Sequence, residues 1–289
     1  MNTTTWIQKH TSSLSGKIIA ISGATGGIGK ELCNDLAMLG ATLVLLDRNQ
    51  TKSAELQNQL TEKYPTLSIR RIAMDLEDMN SVKHAASELQ KMPLDGLVLN
   101  AGAYYIPRHK CTTGVDNIFQ INFLAPYYLA KNLKPHLDIR SGKIVAVGSI
   151  AHTYSKTDPN DIDFSTRSKH SQAYGNAKRF LMYALHGLYG GNSGLAVTHP
   201  GITFTNITAH YPKWIFAIIK HPMKVIFMKP RKACLSILRG LFEDCKPYEW
   251  IGPKYFDIWG YPQKRMLHSC DKTEASFIFE TAEALFRTL

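Results

Sequence analysis

"KIIAISGATGGIGKEL", residues 17–32, decides the fold. A β-branched apolar run (17–22) gives way to a cluster of glycines and then to a helical pattern. Glycines carry meaning where they join a strand to a helix, because there the backbone must turn sharply and admit a ligand. Gly23 permits the tight turn, Gly27 lets backbone approach a pyrophosphate, and Gly29 lets the helix pack close to the strand. The helix start then offers free N–H groups and the positive end of its dipole to phosphate. The spacing, G-x3-G-x-G, differs from the commoner G-x-G-x-x-G.

The same alternation continues along the chain. "TLVLLD" (42–47), "SIRRIAM" (68–74), "LDGLVLN" (94–100), "GKIVAVGS" (142–149) and "GLAVTHP" (194–200) read as further strands. Helical patterns lie between them, among them 29–40 and 81–92. Continuous apolar strands alternating with helices imply a parallel sheet covered on both faces. With no repeat or Pro/Gly-rich linker, residues 1–289 read as one α/β domain, a doubly wound Rossmann-type sheet.

Bulk composition narrows the function. Hydrophobic content of 44% and charged content of 20% describe a globular chain. The five cysteines are scattered and the eleven histidines form no ligand spacing, so free thiols and no metal are expected. The N-terminus shows no apolar signal region, and no run of 18 apolar residues occurs, which makes a cytoplasmic location the expectation. The net charge is +11, and residues 207–272 hold 12 Lys/Arg against 5 Asp/Glu. No basic stripe interleaved with aromatics accompanies this surplus, so nucleic acid is not an expected partner.

"YPKWIFAIIKHPMKVIFMKP" (211–230) breaks the alternation. It is apolar and aromatic, interrupted by Pro222 and Pro230 and punctuated by lysines. Three readings stand: a helix pair packed on the core, a mobile lid over an apolar substrate, or a patch resting peripherally on a membrane.

Two regions carry the chemistry. Asp47 ends the second strand, 18 residues beyond Gly29, where a carboxylate can accept hydrogen bonds from the adenosine ribose and repel a 2′-phosphate. Arg48 follows and could instead pair with that phosphate; the strand-end carboxylate favours NAD, with NADP the alternative. In "QAYGNAK" (172–178), Tyr174 and Lys178 stand four residues apart on one helical face. An ammonium beside a phenol favours the phenolate and lowers its pKa, which would make a proton acceptor.

Taken in order, Ser22-Gly23-x3-Gly27-x-Gly29, Asn100-Ala101-Gly102, Asn122, Ser149 and Tyr174-x3-Lys178 resemble the short-chain dehydrogenase/reductase family over about residues 15–206. The resemblance implies a catalytic tetrad of Asn122, Ser149, Tyr174 and Lys178. Tyr174 would exchange the alcohol proton, Ser149 would hold the same oxygen, and Lys178 would acidify Tyr174 and bind the nicotinamide ribose. Asn122 would anchor a water that relays the proton. Thr25 and Ile28 would join the three glycines at the phosphates. Asp75 and Leu76 would lie beside the adenine, and Asn100, Ala101 and Gly102 would line the cleft. Pro200, Ile202 and Thr205 would hold the carboxamide. Ser22 replaces a usual threonine, and Gly26 a frequent serine.

Ser149 and Tyr174 are 25 residues apart, wider than in much of the family. The extra segment, with "VGSIAH" and "HPGITFTNI", is similar to the retinol-dehydrogenase-like branch, which handles lipophilic alcohols and carbonyls. The expected activity is an NAD(P)-dependent alcohol dehydrogenase or carbonyl reductase, acting as a homodimer or homotetramer. A nucleotide sensor without turnover, or other chemistry through the same cofactor such as epimerisation, are the alternatives.

Overall fold

Buried strands order this chain. We describe a computed structural model, which places residues 2–202 and 228–289. β1 (Ile18–Ser22), β2 (Thr42–Asp47), β3 (Ile69–Ala73), β4 (Gly96–Leu99), β5 (Lys143–Val147) and β6 (Leu195–Thr198) correspond to the six strands legible in sequence. Two more follow, β7 (Glu249–Tyr255) and β8 (Trp259–Met266). The sheet order is β3-β2-β1-β4-β5-β6-β7-β8, parallel from β3 to β7, with β8 antiparallel on the edge. Central strands β1, β4, β5 and β6 are almost wholly buried, the mark of a sheet covered on both faces.

Helices supply the cover. On one face lie α1 (Thr3–His10), α2 (Gly27–Met38), α3 (Gln50–Lys63) and α8 (Pro230–Phe242), joined in one apolar cluster through Trp6, Leu32, Leu56 and Leu235. On the other lie α4 (Met79–Gln90), α5 (Asn117–Phe119), α6 (Ala125–Ile139), α7 (His170–Tyr189) and α9 (Lys272–Arg287). α5 and α6 form one run joined by a π-helical turn, Gln120–Leu124. Because β1 sits between β2 and β4, chain direction across the sheet reverses there, and the crevice above that point is where such sheets bind ligands.

The last two strands are hidden in the sequence for a definite reason. Pro253 and Pro262 argue against a central strand, since proline donates nothing to a ladder. Here they face each other across the β7–β8 pair, so the missing N–H groups coincide at the sheet margin. Of the 211–230 segment, residues 211–227 lie outside the described residues, and Pro230 opens α8. Among the described residues, no helix is long and apolar enough to cross a membrane.

Candidate active site

At the mouth of β1 the glycines do what their spacing requires. Gly23 takes φ +65°, and a Cβ there would lie 2.9 Å from the Ala101 Cα. A Cβ on Gly29 would lie 2.3 Å from the Gly23 carbonyl oxygen, so the helix reaches the strand only with hydrogen at that position. Gly26 is the N-cap of α2 and supplies no side-chain acceptor. The first-turn N–H groups therefore keep their bonding capacity for an anion. A cleft of about 460 Å³ opens above them. Gly23, Thr25, Gly27, Ile28 and Gly29 line its phosphate end, and Asp47, Arg48, Asp75 and Leu76 line its outer end. Asn100, Ala101 and Gly102 close it from the β4 side. A glycine cradle, an uncapped helix start and a cleft of this volume fit a dinucleotide.

Two residues at this end brace the cleft from below. The Ser22 hydroxyl accepts from the N–H groups of Asn100 and Ala101, at 3.0 Å each, and donates to the Val98 carbonyl. The Asn100 amide donates to the carbonyls of Ser22 and Gly23. Substitution of serine for threonine thus keeps the clasp between β1 and β4. Gln120, which sequence reasoning did not single out, donates to the carbonyls of Leu76 and Glu77 and ties that loop to the π-helical turn.

The Asp47 carboxylate, at the outer end of the cleft, is also engaged within the fold. Its side chain is turned inward and is only 2% exposed. Oδ1 accepts from the Thr25 N–H and hydroxyl, both at 3.0 Å, and Oδ2 accepts from the Ser53 hydroxyl at 3.0 Å. The carboxylate is thereby committed to holding the glycine loop. Arg48 instead stands at the cleft mouth, 4.0 Å from Asp75 and 3.7 Å from Glu77.

Tyr174 and Lys178 share a face of α7, with the Lys178 Nζ 5.8 Å from the Tyr174 ring centroid. Ser149 lies beside the Tyr174 phenol and favours its ionised form. Ser149 also caps a short 3₁₀ turn (Ile150–Thr153) by accepting from the Ala151 N–H, which fixes its rotamer. Tyr104 packs edge-on against the Tyr174 ring at 5.1 Å. Asn122 is fully buried in the π-helical turn. Its amide donates to the carbonyls of Ala103 and Ile118, and its Oδ1 accepts from the Ala103 N–H. The bond to Ile118, four residues back, competes with the helical ladder and accompanies the π-turn. Gly102 joins this group to the cleft. A Cβ there would lie 2.7 Å from the Asn122 Oδ1 and 3.5 Å from the Lys178 Nζ.

Burial governs the electrostatics of this pair. Burial pushes the Tyr174 phenol up to about 12, against a lowering by the Ser149 hydrogen bond, while the nearby phenols of Tyr104 and Tyr154 raise it further. Burial also pulls Lys178 down to about 8. The Lys178 Nζ donates to the Val147 carbonyl at 2.8 Å, not to the phenol. Desolvation disfavours both charges more than their mutual approach favours them, so the phenol keeps its proton in this state.

Residues the sequence did not flag hold α7 in place. Arg179, beside Lys178, is buried and pairs through two nitrogens with Glu274 of α9. It also donates to the carbonyls of His152 and Ser269. The segment between Ser149 and Tyr174 folds back so that Phe164, Ile118 and Ala173 form a small apolar cluster, against which Tyr174 and Ile106 pack. Pro200 and Ile202 follow β6 at the same edge of the sheet, and Thr205 lies outside the described residues.

Comparison with known proteins bears on the fold and the family likeness. Residues 17–158 match the model of the short chain dehydrogenase family. The WW domain-containing oxidoreductase of Homo sapiens is 29% identical over 224 residues, 71% of this chain and 53% of that protein. The chain thus spans about half the length of that relative. Retinol dehydrogenase 12 of Mus musculus is 27% identical over 254 residues, covering 84% of this chain and 78% of that one. Among solved structures, an uncharacterised protein of Mycobacterium paratuberculosis superimposes with a TM-score of 0.75 at 21% identity, covering 96% and 95% of the two chains. A 3-oxoacyl (acyl-carrier-protein) reductase of Agrobacterium tumefaciens, solved with NADP bound, gives 0.63 at 18% identity over 80% and 89%. At those identities the structural likeness speaks for the fold. The chain's strand order and glycine cradle are those of the short-chain dehydrogenase fold, and the match to that family's model takes in residues 17–158, just under half of the chain.

Proposed function

We propose that the chain interconverts a lipophilic alcohol and its carbonyl compound, with Tyr174 exchanging the hydroxyl proton. The observation that carries this reading is the buried Tyr174 phenol beside Ser149, one residue layer from the glycine cleft across Gly102. The bound nicotinamide supplies or accepts the hydride. This chain's residues do the rest. In the reductive direction the protonated phenol gives its proton to the carbonyl oxygen as negative charge builds there, and Ser149 donates a second hydrogen bond to that oxygen. Lys178 then lies within reach of the cleft to hold a ribose hydroxyl and to favour the phenolate once the proton has gone.

Support for a lipophilic substrate comes from the residues round the site. Tyr104, Tyr154 and the Phe164 cluster give it aromatic and apolar walls. The likeness to retinol dehydrogenase 12 and the 25-residue spacing of Ser149 and Tyr174 favour the retinol-dehydrogenase-like branch. For the coenzyme, a 2′-phosphate would enter beside the carboxylates of Asp75 and Glu77, with Arg48 and Lys52 opposing them. Arg48 already faces both of those carboxylates, which favours NAD.

The test is the change in reduced-nicotinamide absorbance with a panel of apolar alcohols, aldehydes and ketones, with each coenzyme. Tyr174→Phe is expected to lose at least about 100-fold in turnover with coenzyme affinity kept. Lys178→Ala is expected to lose both. Tight coenzyme binding with no turnover on any substrate would favour a sensor, and equal loss of binding in the two variants would contradict the assigned roles.

A further inference from the structure

Most of the exposed large apolar side chains in the described chain stand on one edge of the sheet. Tyr105 follows β4, Tyr154 follows β5, and Tyr255, Phe256 and Trp259 sit at the β7–β8 turn. In a parallel sheet those are all loops at the carboxyl ends of strands, the edge that bears the cleft and Tyr174. The turn is the extreme case. Phe256 is 79% exposed, Tyr255 53% and Trp259 42%.

Its backbone makes the exposure harder to dismiss. Phe256 and Asp257 both lie in the left-handed region, at φ +53° and +56°, and the Ile258 N–H closes the turn on the Tyr255 carbonyl. Two consecutive residues at positive φ form the hairpin turn that ordinarily takes Asn-Gly. A bulky phenylalanine there is strained and buries almost nothing within the described chain. Strain without return among the described residues points to a contact beyond them.

Charge indicates what that contact is. The one acid of the turn, Asp257, folds back and pairs with Arg265 at 3.0 Å. Lys254 stays exposed, its Nζ 5.4 Å from the Tyr255 ring centroid. Gly201, after β6, packs against Ile258, Pro253 and Met228, which brings exposed Lys229 to the same edge. Residues 228–266 carry 8 Lys/Arg against 4 Asp/Glu. Aromatic side chains flanked by lysines, without free acids, suit the headgroup region of an anionic bilayer.

We propose that the Tyr255–Trp259 turn docks the protein on an anionic phospholipid surface, with the cleft edge facing the lipid. The proposal stands on the exposed turn alone and is independent of the reaction assigned above. Vesicles of phosphatidylcholine, alone or with about one-third phosphatidylserine, are sedimented with the whole chain. Binding is expected to the anionic vesicles and to weaken with salt. Phe256→Asn keeps a residue that tolerates positive φ, so it is expected to raise the melting temperature while lowering vesicle binding roughly tenfold or more. Lys254→Glu is expected to weaken binding to the anionic vesicles. No vesicle binding by the unaltered chain, or binding unchanged in Phe256→Asn, overturns the proposal. So does concentration-dependent self-association that Phe256→Asn abolishes, because the turn would then serve a second copy of the chain.

Discussion

Asp47→Ala separates a carboxylate that holds the glycine loop from one that merely receives a ribose. Removing it strands the Thr25 N–H and the Ser53 hydroxyl, each now bonded at 3.0 Å, and frees the Thr25 hydroxyl. Ser53 is fully buried, so water does not readily replace the lost acceptor. At about 1–3 kcal/mol for each unsatisfied buried group, less the desolvation relieved by deleting a buried charge, the net loss is roughly 2–4 kcal/mol. For a chain of this size that is a fall of about 5–10 °C in melting temperature. Asp47→Asn is the control. Its Oδ1 still accepts from Thr25 and its amide can donate to the Ser53 oxygen, so the loss should stay within about 1 kcal/mol. The assay is thermal or urea unfolding without coenzyme, because a bound ligand would mask the difference by mass action. If Asp47→Ala unfolds within about 0.5 kcal/mol of the parent chain and only coenzyme affinity changes, the bracing role is wrong.

The other predictions test different parts of the site. Gly29→Ala puts a Cβ 2.3 Å from a backbone oxygen that cannot swing away, so both coenzyme affinity and melting temperature should fall sharply; an unaltered pair of values would refute the packing argument. Glu274→Ala leaves Arg179 buried without its anion and should cost about 3–5 kcal/mol in urea unfolding. Burial pulls His152 down to about 4 from 6.5, so the unfolded chain binds its proton first as pH falls. Stability from the neutral ring is therefore complete above pH 6.5 and is lost toward pH 4, and His152→Phe, which keeps the stack on Trp250, should blunt acid unfolding by about 1–3 kcal/mol. With the phenol held up at about 12, alcohol oxidation should quicken as pH rises above neutrality while carbonyl reduction does not; parallel pH profiles would show that Tyr174 is not the titrating group.

What could be read from the chain, and what could not, divides along a physical line. The β1–α2 glycines, the strand alternation and the Tyr174-x3-Lys178 spacing are local patterns, each fixed by backbone geometry within a few residues, whereas Asn122 and Ser149 stand out only through the resemblance to a family. β7 and β8 escaped because Pro253 and Pro262 spoil the strand pattern locally and are tolerated only by facing each other at the sheet edge. Arg179 escaped because its partner Glu274 lies 95 residues away. Gln120 escaped for the same reason, since the carbonyls it holds are 43 and 44 residues back.

Asp47 and Lys178 are the instructive pair, because the fold supplies each with internal hydrogen-bond partners that spacing alone does not reveal. Spacing specifies which groups meet; it does not specify how much water they lose on meeting. For Lys178, desolvation outweighs the neighbouring phenol, and the nearest strong acceptor is the backbone carbonyl of Val147. For Asp47, three internal donors arrive before any ribose can. A buried polar group settles its hydrogen bonds with whatever the fold supplies, and the ligand gets what is left. On that reasoning the acidity of Tyr174 is not a standing property of the Tyr-x3-Lys pair. It should appear only when a positively charged ring enters the cleft beside the phenol, so the Tyr174 ionisation followed by ultraviolet absorbance should move down on adding oxidised coenzyme and stay put on adding the reduced form. Equal shifts with both forms would return the credit to Lys178.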